Sequence, residues 1–240
     1  MSSPTAPAAV SAPASSASGI APAWHTAVVL GGLMGLSLIG AHLDLRAIGL
    51  QDKRVMSYLL VMVIEWTTVA FIWWAVSRRG IRLSDLIGGS WTRGIHVLRD
   101  LAFGIAFIVV CGGALEALGH LLKIEAPQSM RAMLPQTWLE MIAWVPLSLT
   151  GGICEELIFR GYLQRQLSTL THSVAGGIVL QAVAFGLCHG YQGWKLMALI
   201  ALYGACFGVL ARWRHSLRPG MIAHVVQDTA GGLLARFLGS

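Results

Sequence analysis

Three short clusters of ionisable residues lie within apolar stretches of the C-terminal half of this chain. In order they are Glu155, Glu156 and Arg160, then Phe185 with His189, then His224 with Asp228. Ionisable groups inside a membrane span are costly, so by default they mark function. Carboxylates and imidazoles can activate water, and hydrogen-bond donors can stabilise the anion that forms. The clusters therefore predict an enzyme that hydrolyses a bond at or within a bilayer.

The first cluster divides into a structural pair and a free carboxylate. In a helix Glu156 and Arg160 lie four residues apart on one face, whereas Glu155 points about 100° away. We expect Glu156 and Arg160 to form an ion pair that holds the local structure. Glu155 lacks that partner, and we expect it to act as the general base.

The second cluster pairs an aromatic ring with a histidine one helical turn later. A lone histidine in an apolar helix is more often a hydrogen-bonded core residue than a catalyst. A hairpin turn near residues 169–172 changes this expectation, because positions 155 and 189 are symmetric about residue 172. We therefore expect Glu155 and His189 to face each other on adjacent antiparallel helices, with Phe185 shielding them from water.

The third cluster follows Pro219, which suits the first turn of a helix. His224 and Asp228 then share one helical face. A pair that only locks two helices together is the alternative. Three such clusters in one small bundle favour a common site, because ionisable groups are seldom tolerated at this depth.

The composition predicts the elements that carry these residues. Hydrophobic residues make up 55% of the chain and charged residues 12%, with a mean hydropathy of +0.67, whereas soluble domains are about 25% charged. Each predicted span has roughly the 17–25 apolar residues that a transmembrane helix needs. The predicted spans are 25–43, 56–76, 98–122, 138–160, 173–190, 194–212 and 219–238. We predict an all-α, polytopic membrane helical bundle with about seven transmembrane helices, rather than the short alternating segments of a β-barrel.

The chain divides into a tail and one domain. Residues 1–23 are almost wholly Ala, Ser, Pro, Thr and Gly without a charged side chain, which predicts a disordered tail. Residues 24–240 form a single predicted transmembrane helical domain. The start of the chain lacks the basic and apolar regions of a cleavable signal peptide, so we expect the first helix to remain as an uncleaved anchor.

The net charge of +6 does not indicate nucleic acid binding. The basic residues lie in connections between predicted spans, as the positive-inside rule describes. Slightly more of them lie on the N-terminal side, which weakly favours a cytoplasmic N-terminus. We expect the lipid bilayer, and no nucleic acid, as the partner of these charges.

The remaining polar and thiol groups show no chemical spacing. The four cysteines lack CxxC spacing, so they predict neither disulfides nor a thiolate zinc site and are interpreted as small buried hydrophobic residues. Glu65 and Glu116, in the second and third spans, are interpreted as lining a cavity or pairing with an arginine.

The patterns EExxxR, FxxxH and HxxxD, in this order within a polytopic bundle, resemble the CAAX-protease and bacteriocin-processing (CPBP) family, also called the abortive-infection (Abi) family. The resemblance covers about residues 138–230, and the N-terminal half contributes little to it. It implies an intramembrane endopeptidase of the glutamic type, in a family once described as metalloproteases. It also implies a multi-pass protein of the cell membrane that cleaves a membrane-associated protein or peptide.

The resemblance also implies roles for the site residues. Glu155 and His189 activate water, and His224 with residue 228 stabilises the oxyanion. The family often has Asn at the last position, and its amide donates a hydrogen bond, whereas an ionised Asp228 only accepts. Asp228 is then expected either to orient His224 or to be held protonated by its surroundings. Glu156, Arg160 and Phe185 support the shape of the site.

Three alternatives use the same sequence features. No cofactor is expected, but His189, His224 and a carboxylate could bind zinc with one position open for water, although the HExxH motif is absent. Intramembrane glutamate and histidine also occur in proton-coupled transporters, which often show internal repeats that this sequence lacks. A non-catalytic membrane scaffold is the third alternative. The sequence does not identify the substrate.

Overall fold

A computed structural model describes residues 19–42, 54–125 and 128–238, and within these ranges the regular secondary structure is helical, without strands. The helices are α1 (Ala23–His42), α2 (Arg54–Ser77), α3 (Leu83–Ile87), α4 (Gly94–Leu121), α5 (Gln128–Met133), α6 (Trp138–Leu170), α7 (Val174–Cys188), α8 (Trp194–Arg214) and α9 (Arg218–Leu238). A single 3₁₀ turn, Gly190–Gln192, joins α7 to α8. The predicted all-α fold is confirmed.

Four helices, α2, α4, α6 and α8, are long and apolar enough to cross a membrane. The apolar part of α1 and the whole of α7 are shorter, and α9 does not meet the same criteria of length and hydropathy. The helical membrane bundle is therefore confirmed, while the number of seven spans stays a prediction. The fourth predicted span ends at residue 160, but α6 continues to Leu170.

The hairpin between α6 and α7 lies at the predicted turn. Thr171 ends α6, His172 adopts a left-handed conformation with φ of 52°, and the Ser173 hydroxyl accepts a hydrogen bond from Gly176 N–H at 3.0 Å. Such a cap satisfies one of the free N–H groups at the start of a helix. At its other end α6 begins with a capping box between Thr137 and Glu140.

Helix α6 is the centre of the bundle, because α2, α7 and α9 all pack against it. Gly152 on α6 lets α9 approach closely: a Cβ at this position would lie 2.5 Å from Val225 Cγ2 and 2.7 Å from its backbone nitrogen. Gly186 similarly lets α7 approach α8, where a Cβ would lie 2.7 Å from the Met197 carbonyl oxygen. Small residues at these contacts bring the polar clusters of three helices together.

Two helices contain a π-helical segment, in which the winding is wider than in an α-helix. In α6 the segment is Glu156–Leu163, and all eight of its residues are buried. In α4 the segment is Ile108–Gly112, and none of its residues is buried. Neither π-helical segment was predicted from the sequence.

The start of the described chain packs against α6. Ala21 is buried, and its backbone N–H and carbonyl pair with the side chain of Gln166 at 3.1 and 2.8 Å. His25, at the start of α1, contacts the Tyr162 hydroxyl at 2.8 Å. Residues 1–18 of the predicted tail lie outside the described residues.

Candidate active site

The site forms where the middle of α6 meets α9. Glu155 is the last α-helical residue before the π segment of α6, and Glu156 is the first residue within it. His224 and Asp228 lie one turn apart on α9, six and ten residues after its start at Arg218. The close approach at Gly152 brings the two pairs of residues together.

His224 lies among three carboxylates. Its Nε2 is 3.5 Å from Glu155 Oε2 and 3.5 Å from Asp228 Oδ2. Its Nδ1 is 3.5 Å from Glu156 Oε1. Both glutamates of the first cluster thus converge on one imidazole, one at each ring nitrogen, which the sequence analysis did not predict.

The Glu156–Arg160 ion pair predicted from the sequence is present. Arg160 Nη1 donates to Glu156 Oε1 at 2.9 Å, and both side chains are fully buried. Arg160 Nη2 donates to the Gly204 carbonyl oxygen at 3.2 Å. The guanidinium lies over the rings of Phe185 and Phe207, 4.3 and 5.0 Å from their centroids. A planar guanidinium can donate to two different acceptors while it stacks on aromatic rings, which suits arginine better than lysine in this buried pair.

Phe185 lies beside Arg160 and both histidines of the site. Its ring centroid is 4.8 Å from that of His189 and 6.3 Å from that of His224. His189 Nδ1 lies 2.8 Å from the Phe185 carbonyl oxygen. Because a carbonyl only accepts, Nδ1 carries the hydrogen, and the Nε2 of a neutral ring is then an acceptor. His189 is therefore oriented with an acceptor nitrogen available.

Glu155 and His189 share a neighbourhood, although the ion contact of Glu155 is with His224. Glu155 lies within electrostatic range of Cys188, the residue before His189. His189 itself interacts electrostatically with Asp228. The four residues predicted to act on water and on the oxyanion thus surround one region between α6, α7 and α9.

Several buried polar atoms in this region form no hydrogen bond within the described part of the protein. They are Glu65 Oε2, Glu155 Oε2, Glu156 Oε2 and His224 Nδ1. Buried polar groups are nearly always hydrogen-bonded, so these atoms are suited to bind a water molecule or a polar group of a substrate.

The zinc alternative stays a prediction. Within the described ranges, no group of three or more His, Cys, Asp or Glu side chains is arranged to hold a metal ion. His189 contacts a backbone carbonyl through Nδ1 and leaves Nε2 free, an arrangement that metal-ligating histidines also adopt.

Two contributions to the site were missed by the sequence analysis. Glu65, near the middle of α2, interacts electrostatically with Glu155, His224 and Asp228. An acidic residue in the middle of an apolar helix was the feature that could have identified it. Trp144 on α6 donates its indole N–H to the Asp228 carbonyl oxygen at 2.8 Å and so fixes α9 against α6.

Comparison with known proteins gives one match. Residues 136–230 match the family model described as "Type II CAAX prenyl endopeptidase Rce1-like". No curated protein and no solved structure matches the chain. The matched segment begins just before α6, ends within α9 and contains all seven residues of the three clusters.

Proposed function

Because residues 136–230 match the model of a CAAX prenyl endopeptidase family, we propose that this chain is an intramembrane endopeptidase of the glutamic type. It crosses the cell membrane several times and hydrolyses a peptide bond of a membrane-associated protein or peptide. The observation that carries the proposal is the convergence of Glu155 and Asp228 on His224 at 3.5 Å, beside the buried Glu156–Arg160 pair.

Glu155 acts on water. Its carboxylate takes a proton from a water molecule whose oxygen attacks the peptide carbonyl carbon, while the carbonyl π electrons move to the oxygen. The proton then passes to the amide nitrogen as the carbon–nitrogen bond breaks, which yields an acid and an amine. His189, with its Nε2 as acceptor, assists the removal of the proton. Correctly placed proton transfer of this kind contributes about 10²–10⁴-fold to the rate.

His224 stabilises the oxyanion. Its Nε2 is 3.5 Å from both Glu155 and Asp228, which is longer than the N–H···O distances of about 2.7–3.2 Å in good hydrogen bonds. The Nε2–H group is therefore available to a third acceptor, the oxyanion. Asp228 does not donate a hydrogen bond to the oxyanion but orients the imidazole of His224. This role needs a hydrogen-bond acceptor, which explains how Asp can stand where the family often has Asn. One such donor contributes about 3–4 kcal/mol to transition-state stabilisation.

The Glu156–Arg160 pair acts through position rather than through contact with the substrate. It fixes the π segment that begins beside Glu155, and Glu156 also contacts His224 Nδ1 at 3.5 Å. Loss of the pair would move both the general base and the oxyanion donor.

The test is proteolysis in liposomes of fluorogenic membrane peptides, including peptides with a prenylated C-terminal cysteine motif. Wild type is compared with Glu155→Gln and His189→Ala, each with and without a chelator. We expect cleavage by wild type in both conditions and loss of cleavage in both variants. Cleavage that survives both substitutions would overturn the site assignment, and loss on chelation would favour the zinc alternative.

A further inference from the structure

Glu65 lies beside the site but belongs to none of the three motifs. It stands near the middle of α2, which packs against α6. Its Oε2 is buried and makes no hydrogen bond within the described residues. In the same part of the chain it also forms no ion pair with an arginine or lysine, unlike Glu140, Glu156 and Asp100. The pairing with an arginine considered from the sequence therefore does not explain it.

The contacts of its neighbours place Glu65 at the level of the site. Trp66, the next residue, donates its indole N–H to Thr150 Oγ1 on α6 at 3.3 Å. The residue after Thr150 is Gly151, and a Cβ there would lie 3.7 Å from Asp228 Oδ2 on α9. Consecutive residues of α6 thus contact α2 on one side and α9 on the other. Glu155 follows about one turn later, between these two helices.

The charges around Glu65 belong to the site. Its strongest electrostatic interaction is with Glu155, followed by those with His224 and Asp228. Glu65 Oε2 and Glu155 Oε2 are both buried and lack hydrogen bonds within the described protein, and the two carboxylates are close enough to interact electrostatically. A carboxylate is costly in a membrane helix, and within the described residues no ion pair with Arg or Lys offsets that cost for Glu65.

We propose that Glu65 positions the catalytic water from the α2 side of the site. Its carboxylate accepts a hydrogen bond from one O–H group of the water while Glu155 takes the proton of the other O–H group. This fixes the direction of the oxygen lone pair that attacks the carbonyl carbon. The inference rests on the proposed function and adds to it a residue outside the segment 136–230.

The first experiment uses full-length protein in liposomes and a fluorogenic peptide that wild type cleaves. Glu65→Leu removes the acceptor, Glu65→Gln keeps a carbonyl acceptor, and Glu116→Gln is the matched control in an exposed part of α4. We expect Glu65→Leu to lower kcat about 10²-fold, the cost of misplacing a reacting group, with KM and thermal stability little changed. Glu65→Gln should restore part of the rate, and the control should match wild type.

A wild-type kcat for Glu65→Leu would overturn the inference. So would a loss of rate that is accompanied by lower thermal stability and is not relieved in Glu65→Gln, because that pattern belongs to a structural residue. Glu155→Gln in the same assay separates the two proposals. If Glu155→Gln cleaves normally, the proposed function fails; if it is inactive while Glu65→Leu is normal, only the role of Glu65 fails.

A second measurement does not depend on a substrate. The titratable and charged groups that interact electrostatically with Glu155 are Glu65 on α2, Cys154 and Arg160 on α6, His224 and Asp228 on α9, Cys188 at the end of α7, and Tyr191 after it. Infrared spectroscopy with Glu155→Gln as the reference identifies the carboxyl band of Glu155. The pH midpoint of that band should move in Glu65→Leu and stay fixed in Glu116→Gln. An unmoved midpoint in Glu65→Leu would show that the two carboxylates do not share a space.

Discussion

The π segments of α4 and α6 share a backbone irregularity and differ in burial and in charged neighbours. In α4, Val109 and Val110 are 68% and 67% exposed, and no residue of the segment is buried. In α6 all eight residues are buried, and the segment contains an ion pair that contacts three aromatic rings. A π turn often occurs at functional sites. The comparison shows that burial and charged partners, rather than the winding itself, distinguish the segment that builds a site.

The largest expected effect comes from deleting one residue of the α6 segment. Removal of Ile158 shortens the spacing of Glu156 and Arg160 from four residues to three and breaks the contacts of the buried pair. We expect no cleavage and strong loss of thermal stability. The control is deletion of Val109 from the π segment of α4, which should leave cleavage and thermal stability nearly unchanged. If the two deletions lowered cleavage and stability equally, burial and charged partners would not distinguish the α6 segment from the α4 segment.

The second-largest effect is expected from removing one partner of the buried Glu156–Arg160 pair. Arg160→Leu leaves Glu156 buried without its cation, which costs about 3–5 kcal/mol. Thermal unfolding in detergent measures the change. The control is Arg82→Leu, which removes the partner of Asp85 in an exposed pair and should leave unfolding unchanged, because surface ion pairs contribute little. Wild-type stability of Arg160→Leu would mean that the pair does not hold the π segment.

A smaller effect is expected from adding one methyl group where α6 contacts α9. In Gly152→Ala the new Cβ would meet Val225 at 2.5 Å, so α9 must move away with His224. Overpacking of this kind costs about 1–3 kcal/mol, and kcat should fall further than stability. Gly113→Ala, next to the α4 segment, has nothing within 4 Å and should stabilise the helix by about 0.5–1 kcal/mol. Similar kcat values in the two variants would contradict the close approach of α9.

The smallest effect is expected at the acidic residue of α4. Glu116 and His120 form an exposed contact at 3.2 Å, far from the buried groups of α6. Glu116→Gln should therefore change neither the melting temperature nor the cleavage rate. A clear fall in rate would show that this end of α4 contributes to the chemistry.

Local spacing explains what could be predicted from the sequence. The Glu156–Arg160 pair depends on four-residue spacing within one helix, and the α6–α7 hairpin depends on the polar residues that break the apolar pattern near His172. Both are present in the structure. The long helices followed from apolar stretches, although α6 extends ten residues beyond the expected end because its amphipathic C-terminal part remains packed on α7.

Contacts between distant segments explain what could not be predicted. Glu65 reaches the site through packing of α2 on α6, and the neighbouring Trp66–Thr150 bond joins residues 84 positions apart. The meeting of both glutamates with His224 requires the glycine contact between α6 and α9. The π winding depends on the surroundings of the helix, and no residue of the EExxxR pattern distinguishes it from an ordinary α-helix.

The shortness of α7 has a consequence for the surrounding lipid. Its 15 residues span about 22 Å at 1.5 Å per residue, whereas the hydrocarbon core of a bilayer is about 30 Å thick. A bilayer beside a short helix becomes thinner, and α7 ends directly before His189. Headgroups and water are thereby drawn toward His189, the histidine proposed to assist catalysis. Membrane thickness, and with it the lipid composition, would then control the rate of the proposed hydrolysis.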